Sequence, residues 1–172
     1  MQKVFLLLSL WLTFIGCSTP VAEKLDQAVE RKAINALLDS FNVAAANADF
    51  DLYFSYFTKD AVFAGTDATE YWDMDAFKKY AKPYFDAGTT WKFKSVKRNL
   101  YIDSSAPVAW FDEVLKTQME LCRGSGVLAK TGDGWKLKQY VLSITMPNNL
   151  VDSVAILKAP FEEMQLLKWE SQ

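Results

Sequence analysis

Between Met119 and Pro147 two runs rich in β-branched and aromatic residues flank Thr131-Gly132-Asp133-Gly134. Asp133-Gly134 supplies the positive φ angles that a tight reversal needs, so the stretch is predicted to form an antiparallel hairpin. In its second arm Trp135, Leu137, Gln139, Val141 and Ser143 share one face, and Lys136, Lys138, Tyr140, Leu142 and Ile144 share the other. The two lysines turn the second set outward at its start. Trp135 and Leu137 then point at the core, and Gln139 becomes a polar group on the buried face.

Upstream, Ile34, Leu37, Leu38, Phe41 and Ala45 recur at helical spacing, which predicts a long amphipathic helix from Asp26 to near Asn47. Asp49 is placed to cap a second, shorter helix with Leu52, Tyr53, Tyr56 and Phe57 on its aromatic face. Ala61 to Gly65 reads as a strand, and Thr69 to Trp72 as a short return strand. Asp73 or Asp75 caps a third helix, which Pro83 should kink or restart and Gly88 should end. Trp91 to Ile102 reads as a long strand whose apolar face changes parity, so a bulge is expected near Ser95. Val108 to Gln118 supplies another strand. The tail returns to helical spacing on either side of Pro160, predicting two short helices packed outside the sheet.

Three helices followed by long, bent antiparallel strands define an α+β class. The expected shape is a cone-shaped curved sheet packed against three N-terminal helices, with a cavity at the wide end and extra C-terminal helices. A chain of 172 residues with 51% hydrophobic and 15% aromatic content supports one core. The net charge of −2 leaves no basic excess to neutralise phosphates, so nucleic acid is not an expected partner.

The first residues change the picture of location. Lys3 precedes an apolar run from Val4 to Ile15, which is the length of a signal-peptide core and short of the ~20 residues that span a bilayer. Phe14-Ile15-Gly16-Cys17 looks like a bacterial lipobox. The expected organisation is a signal peptide over 1–17, a tether over 18–25, the domain over 26–148 and a helical extension over 149–172. Cys17 would carry the lipid and hold the protein in the bacterial cell envelope, on the outer membrane facing the periplasm; an ordinary secretory signal is the alternative. Cys122 is then left without an intrachain partner and is expected to pack as a small hydrophobe.

Several stretches resemble the SnoaL-like branch of the nuclear transport factor 2-like superfamily. They are Phe63-Ala64-Gly65-Thr66-Asp67 with Glu70 and Trp72, Val108 to Glu113, Arg123 to Leu128, and Gly134 to Tyr140 with Ser143. The likeness runs from about Val29 to Asn148. It implies the cone fold and frequent pairing through the outer sheet face, but no single activity, because the superfamily hosts isomerases, dehydratases, epoxide hydrolases and binding pockets.

For chemistry, Asp112 shares a strand face with Trp110 and Val114. If Trp110 packs inward, Asp112 is a candidate general base, with structural pairing to Arg123 as the alternative; Glu113 is assigned to the solvent or dimer face. Arg123, on the neighbouring strand and followed by Gly124 and Gly126, is placed to meet a ligand carboxylate or an oxyanion, with pairing to Asp112 or Glu70 as the alternative. Tyr53, Tyr56, Trp72, Trp91, Trp110, Arg123 and Gln139 are the candidate pocket residues. With no histidine, no phosphate loop, no serine elbow and no zinc spacing, neither a cofactor nor a metal is expected, and histidine-dependent dehydratase chemistry is excluded. The leading expectation is a binder of a small, partly apolar molecule. The alternatives are an isomerase or epoxide hydrolase-like enzyme using Asp112, and a structural envelope protein whose cavity is filled by its own side chains. A homodimer through Tyr140, Leu142 and Ile144 is expected.

Overall fold

The computed structural model describes residues 26–171. The signal peptide, the lipobox with Cys17 and the tether lie outside the described residues.

Helix α1 runs Gln27–Ala46, with Asp26 capping the Ala28 and Val29 amides, and α2 runs Phe50–Ser55, with Asp49 capping the Leu52 amide. Strands β1 (Phe57–Ala64) and β2 (Tyr71–Asp73) form a hairpin that leads into α3 (Met74–Asp86), capped by Asp73 through the Ala76 amide. Pro83 sits inside α3 without ending it, and Gly88, at φ 65°, follows its end. Strands β3 (Lys94–Ile102), β4 (Val108–Thr117), β5 (Glu120–Thr131) and β6 (Gly134–Ile144) form an antiparallel meander. The sheet order is β2-β1-β6-β5-β4-β3, and β1 runs parallel to β6. The fold is therefore α+β, with a curved six-stranded sheet wrapped over the helices.

The expected bulge in β3 is present: Ser95 pairs with Leu115 and Lys97 with Val114, leaving Val96 extra. A second one was not expected. Leu137 pairs with Leu128 and Gln139 with Val127, so Lys138 is the extra residue in β6. An extra residue reverses parity beyond it. Trp135 and Leu137 face the core as expected, but beyond Lys138 the buried residues are Tyr140 and Leu142, and Gln139 faces outward with Val127. The outward placement of Tyr140 and Leu142 is thus corrected; of the proposed dimer patch only Ile144 is exposed.

The concave face carries Phe57, Ala61, Phe63, Ala109, Phe111, Leu115, Cys122, Leu128, Leu137, Tyr140 and Leu142, closed by Ile34, Leu38, Phe41 and Ala45 of α1 and by Phe77, Ala81 and Phe85 of α3. Cys122 is fully buried there, as a small hydrophobe. The C-terminal segment departs from expectation. After a 3-10 turn at Asn148–Leu150 it forms one continuous helix, α4 (Val151–Glu170), which contains Pro160 and buries none of its residues.

Candidate functional site

Beneath α1 the interior of the cone is occupied by the protein's own rings. Phe41 stacks on Tyr53 at 4.5 Å between centroids, Phe63 stacks on Phe77 at 4.0 Å, and Tyr140 lies 5.3 Å from Phe63. Burial, and next the neighbouring Tyr140, pushes the Tyr53 phenol well above its ordinary value. Burial, reinforced by the Glu113 carboxylate, does the same to Tyr140. Both stay neutral at any physiological pH.

The charged group inside is Glu113, with a fully buried side chain. Arg98, its direct cross-strand neighbour, donates from Nε to Oε2 at 2.9 Å, and its Nη2 lies 2.8 Å from the same oxygen. Arg98 Nη1 continues to Asn35 Oδ1 at 3.1 Å and to Asp39 at 2.9 Å, tying β3 to α1. Glu113 Oε1 and Tyr140 Oη have no hydrogen-bond partner among the described residues. The Tyr140 hydroxyl passes over Gly124, where an added Cβ would sit 2.5 Å from it. That glycine is required by close approach.

This arrangement corrects the assignment of faces on β4. Phe111, Glu113 and Leu115 point inward, so Trp110, Asp112 and Val114 point outward. Trp110 is 44% exposed and stacks on Tyr101 of β3 at 5.8 Å. Asp112 does pair with Arg123, at 3.0 Å, but on the outer face, with side chains 30% and 52% exposed. Asn99 also donates to Asp112, at 3.2 Å. Asp112, Trp110, Arg123 and Gln139 therefore do not meet in a pocket. Tyr53 is core, and Tyr56 is half-buried at the end of α2, edge-on to Phe41, with its carbonyl accepting from the Leu137 amide at 2.8 Å.

The open space lies at the mouth of the cone. A cleft of about 170 Å³ is lined by Phe63, Gly65, Thr66, Glu70, Trp72, Phe77, Tyr80, Trp91, Phe93, Gln118, Met119 and Leu142. Of the candidate pocket residues, Trp72 and Trp91 lie in this lining; Tyr80 and Phe93 were not among the candidates. Trp72 comes from β2 and stacks on Tyr80 of α3 at 4.5 Å, while Trp91 stacks on Phe77 at 6.2 Å. Glu70 is held by the β1–β2 turn, accepting from the Asp67 amide at 3.2 Å, and a side chain at Gly65 would collide with its carboxylate. Beside it a more polar recess of about 210 Å³ shares Tyr80, Trp91 and Gln118 and adds Tyr84, Thr89 and Thr90. Among the described residues no group of acids, cysteines or histidines is arranged to hold a metal.

A curved sheet folded over three helices, with its space at the open end, is the architecture of the nuclear transport factor 2-like and cystatin-like proteins. The chain belongs to the SnoaL-like domain family, whose sequence profile matches residues 34–147. No curated relative matches the sequence. Among solved structures it is similar to an uncharacterized protein with a cystatin-like fold from Caulobacter vibrioides (12% identity, TM-score 0.61, covering 76% of this chain and 99% of that one). It is similar as well to a cystatin-like domain of unknown function from Nostoc punctiforme (13% identity, TM-score 0.60, 84% and 98% covered). A third similar structure is provisionally described as a dehydratase of the nuclear transport factor 2-like family, from Streptomyces avermitilis (12% identity, TM-score 0.58, 70% and 99% covered).

Proposed function

We propose that the protein binds a small, partly apolar molecule in the cleft at the mouth of the cone. The observation that carries this reading is the wall of Trp72, Phe77, Tyr80, Trp91, Phe93 and Met119 around open space, with Glu70 and Gln118 as its polar points. Sites of this kind pair a mostly apolar lining with a few polar groups that orient the ligand. At about 170 Å³ the cleft suits a ring-sized or compactly branched group, since an engineered cavity of ~150 Å³ holds benzene. The self-filled reading survives for the deep cone, where Phe41, Tyr53, Phe63, Phe77 and Tyr140 leave the ligand only the mouth. Thermal shift across a panel of small cyclic and branched molecules tests the idea. Trp91→Leu should abolish shifts seen with the parent, and Asp112→Asn should leave them unchanged; shifts that survive Trp91→Leu contradict it.

The enzymatic reading through Asp112 loses its support, because that carboxylate points away from the cleft and is paired with Arg123. The carboxylate that lines the cleft is Glu70. A dehydratase reading, favoured by the description of the Streptomyces avermitilis relative, runs through Glu70 and predicts turnover that Glu70→Gln abolishes.

Two further proposals concern setting. Cys17 anchors the protein by lipid to the outer membrane of a bacterial envelope, facing the periplasm; Cys17→Ser should release it from the membrane fraction and remove the acyl mass. The outer sheet face pairs two copies, supported by the exposed Val96, Tyr101, Trp110 and Leu121 rather than by Tyr140, Leu142 and Ile144, which share the concave-face parity. Light scattering at micromolar protein should give twice the monomer mass, reverting to monomer in Trp110→Lys.

A further inference from the structure

The lining of the mouth cleft is unusual in its charge. Trp72, Phe77, Tyr80, Trp91 and Phe93 surround it with aromatic rings, whose faces are the negative pole of the ring quadrupole. The charged side chain among the lining residues is Glu70, and no lysine or arginine is among them. Glu70 takes part in no salt bridge among the described residues, although it is held in place by the Asp67 amide and by the absence of a side chain at Gly65. Of the three lysines on α3, Lys78 lies over Phe54 and Lys82 over Phe50 while also pairing with Asp86, and Lys79 is exposed and outside the lining. The carboxylate is felt at the rings: burial, a hydrogen bond with Tyr84 and the negative charge of Glu70 together raise the Tyr80 phenol above its ordinary value.

We infer that the cleft selects an organic cation, a compact alkylated ammonium group seated against the rings of Trp72, Tyr80 and Trp91, with Glu70 as its counter-charge. This deepens the small-molecule reading above and rests on it. Aromatic faces attract ammonium groups most when the charge is diffuse and weakly hydrated, which is the recognised use of such cages for quaternary ammonium ligands. An anionic ligand meets the opposite: a carboxylate without a basic partner and a lining of electron-rich rings. The adjoining recess, with Thr89, Tyr84 and Gln118, provides hydroxyl and amide partners for a polar arm of such a ligand.

The test is a titration of the mature protein with choline and with its uncharged isostere 3,3-dimethylbutan-1-ol, read by tryptophan fluorescence and by indole N–H shifts. The two probes share shape and hydroxyl and differ only in charge. Choline should bind at least tenfold more tightly than the alcohol. Glu70→Gln, which keeps an oxygen acceptor for the Asp67 amide, should weaken choline about tenfold and leave the alcohol unchanged. If the alcohol binds as well as choline, or Glu70→Gln leaves choline untouched, the cation inference falls and the apolar-ligand reading stands. If neither probe nor the wider neutral panel moves Trp72 or Trp91, both readings fall.

Discussion

Two neighbouring carboxylates on one strand have opposite fates, and the difference can be measured. Glu113 is buried with Arg98, so Arg98→Met leaves an uncompensated interior charge and should cost about 3–5 kcal/mol in chemical denaturation. Replacing both residues with apolar ones should recover much of that loss. Asp112→Asn breaks a half-exposed pair and should cost ~1 kcal/mol or less. A second pair of residues is coupled by shape. Gly124→Ala drives a methyl into the Tyr140 hydroxyl and should destabilise by about 1–3 kcal/mol, and Tyr140→Phe in the same chain should restore much of it by removing the colliding oxygen. An additive double mutant would contradict the contact. The sequence did not separate Glu113 from Asp112, because β4 alternates apolar residues on both faces: Ala109, Phe111 and Leu115 against Val108, Trp110 and Val114. With both faces apolar, alternation cannot say which is inside; a large exposed tryptophan stacked on Tyr101 is a fact of the outer surface.

At the scale of elements, helix starts, turns and the β3 bulge were readable and the register of β6 was not. Asp49 caps the second helix as expected, Asp73 rather than Asp75 caps the third, and Asp26, at the expected start of the first, caps it as well, because short acidic side chains ahead of an apolar stripe satisfy free amides. Lys138 is extra in β6, and nothing in the alternating run Gly134 to Ser143 marks it; that one residue moved Tyr140 into the core and Gln139 out. The expected hairpin is present, closed by the Thr131–Gly134 pair; of Asp133 and Gly134, expected to supply positive φ, only Gly134 does, at 97°. The other reversal, between β4 and β5, puts Glu120 at φ 66°, in the left-handed region that side chains avoid. Glu120→Gly should therefore stabilise the protein by roughly 0.5–1 kcal/mol, where glycine in an ordinary strand position would weaken it by a similar amount. The denaturation midpoint decides the sign. Helix α4 was expected as two packed pieces, since Pro160 removes a helical hydrogen bond, yet it runs through and leaves Leu157, Phe161 and Leu167 exposed.

The whole molecule should respond to pH from both ends, with opposite signs. Tyr53 and Tyr140 have folded-state values raised by burial, so the folded state keeps protons that the unfolded chain releases above pH ~10. Their contribution is complete below that pH and is lost as pH rises. Urea midpoints should fall steeply above pH 10, and less steeply in Tyr140→Phe. Glu30 is the reverse case: Lys130, and then the Trp135 indole donating at 2.6 Å, lower its value from the ordinary 4.5. Its contribution is present above that value and is lost as pH falls through the lower folded-state one, so Lys130→Met should flatten the acid limb.

The cone was legible because three helices followed by long alternating strands define the class whichever face is inside, and the family likeness read over about Val29 to Asn148 agrees with the profile match over 34–147. Of the candidate pocket residues, Trp72 and Trp91 line the mouth cleft, while Asp112, Arg123, Trp110 and Gln139 belong to the outside of the sheet. Function therefore depends on which end and which face of the cone receives a ligand. The most direct test follows the indole N–H signals of Trp72, Trp91 and Trp110 while small cyclic and branched ligands, charged and neutral, are titrated into labelled protein. Binding at the mouth shifts Trp72 and Trp91 and leaves Trp110 still; movement of Trp110 with Trp72 and Trp91 unchanged would place the site on the outer face and contradict the account.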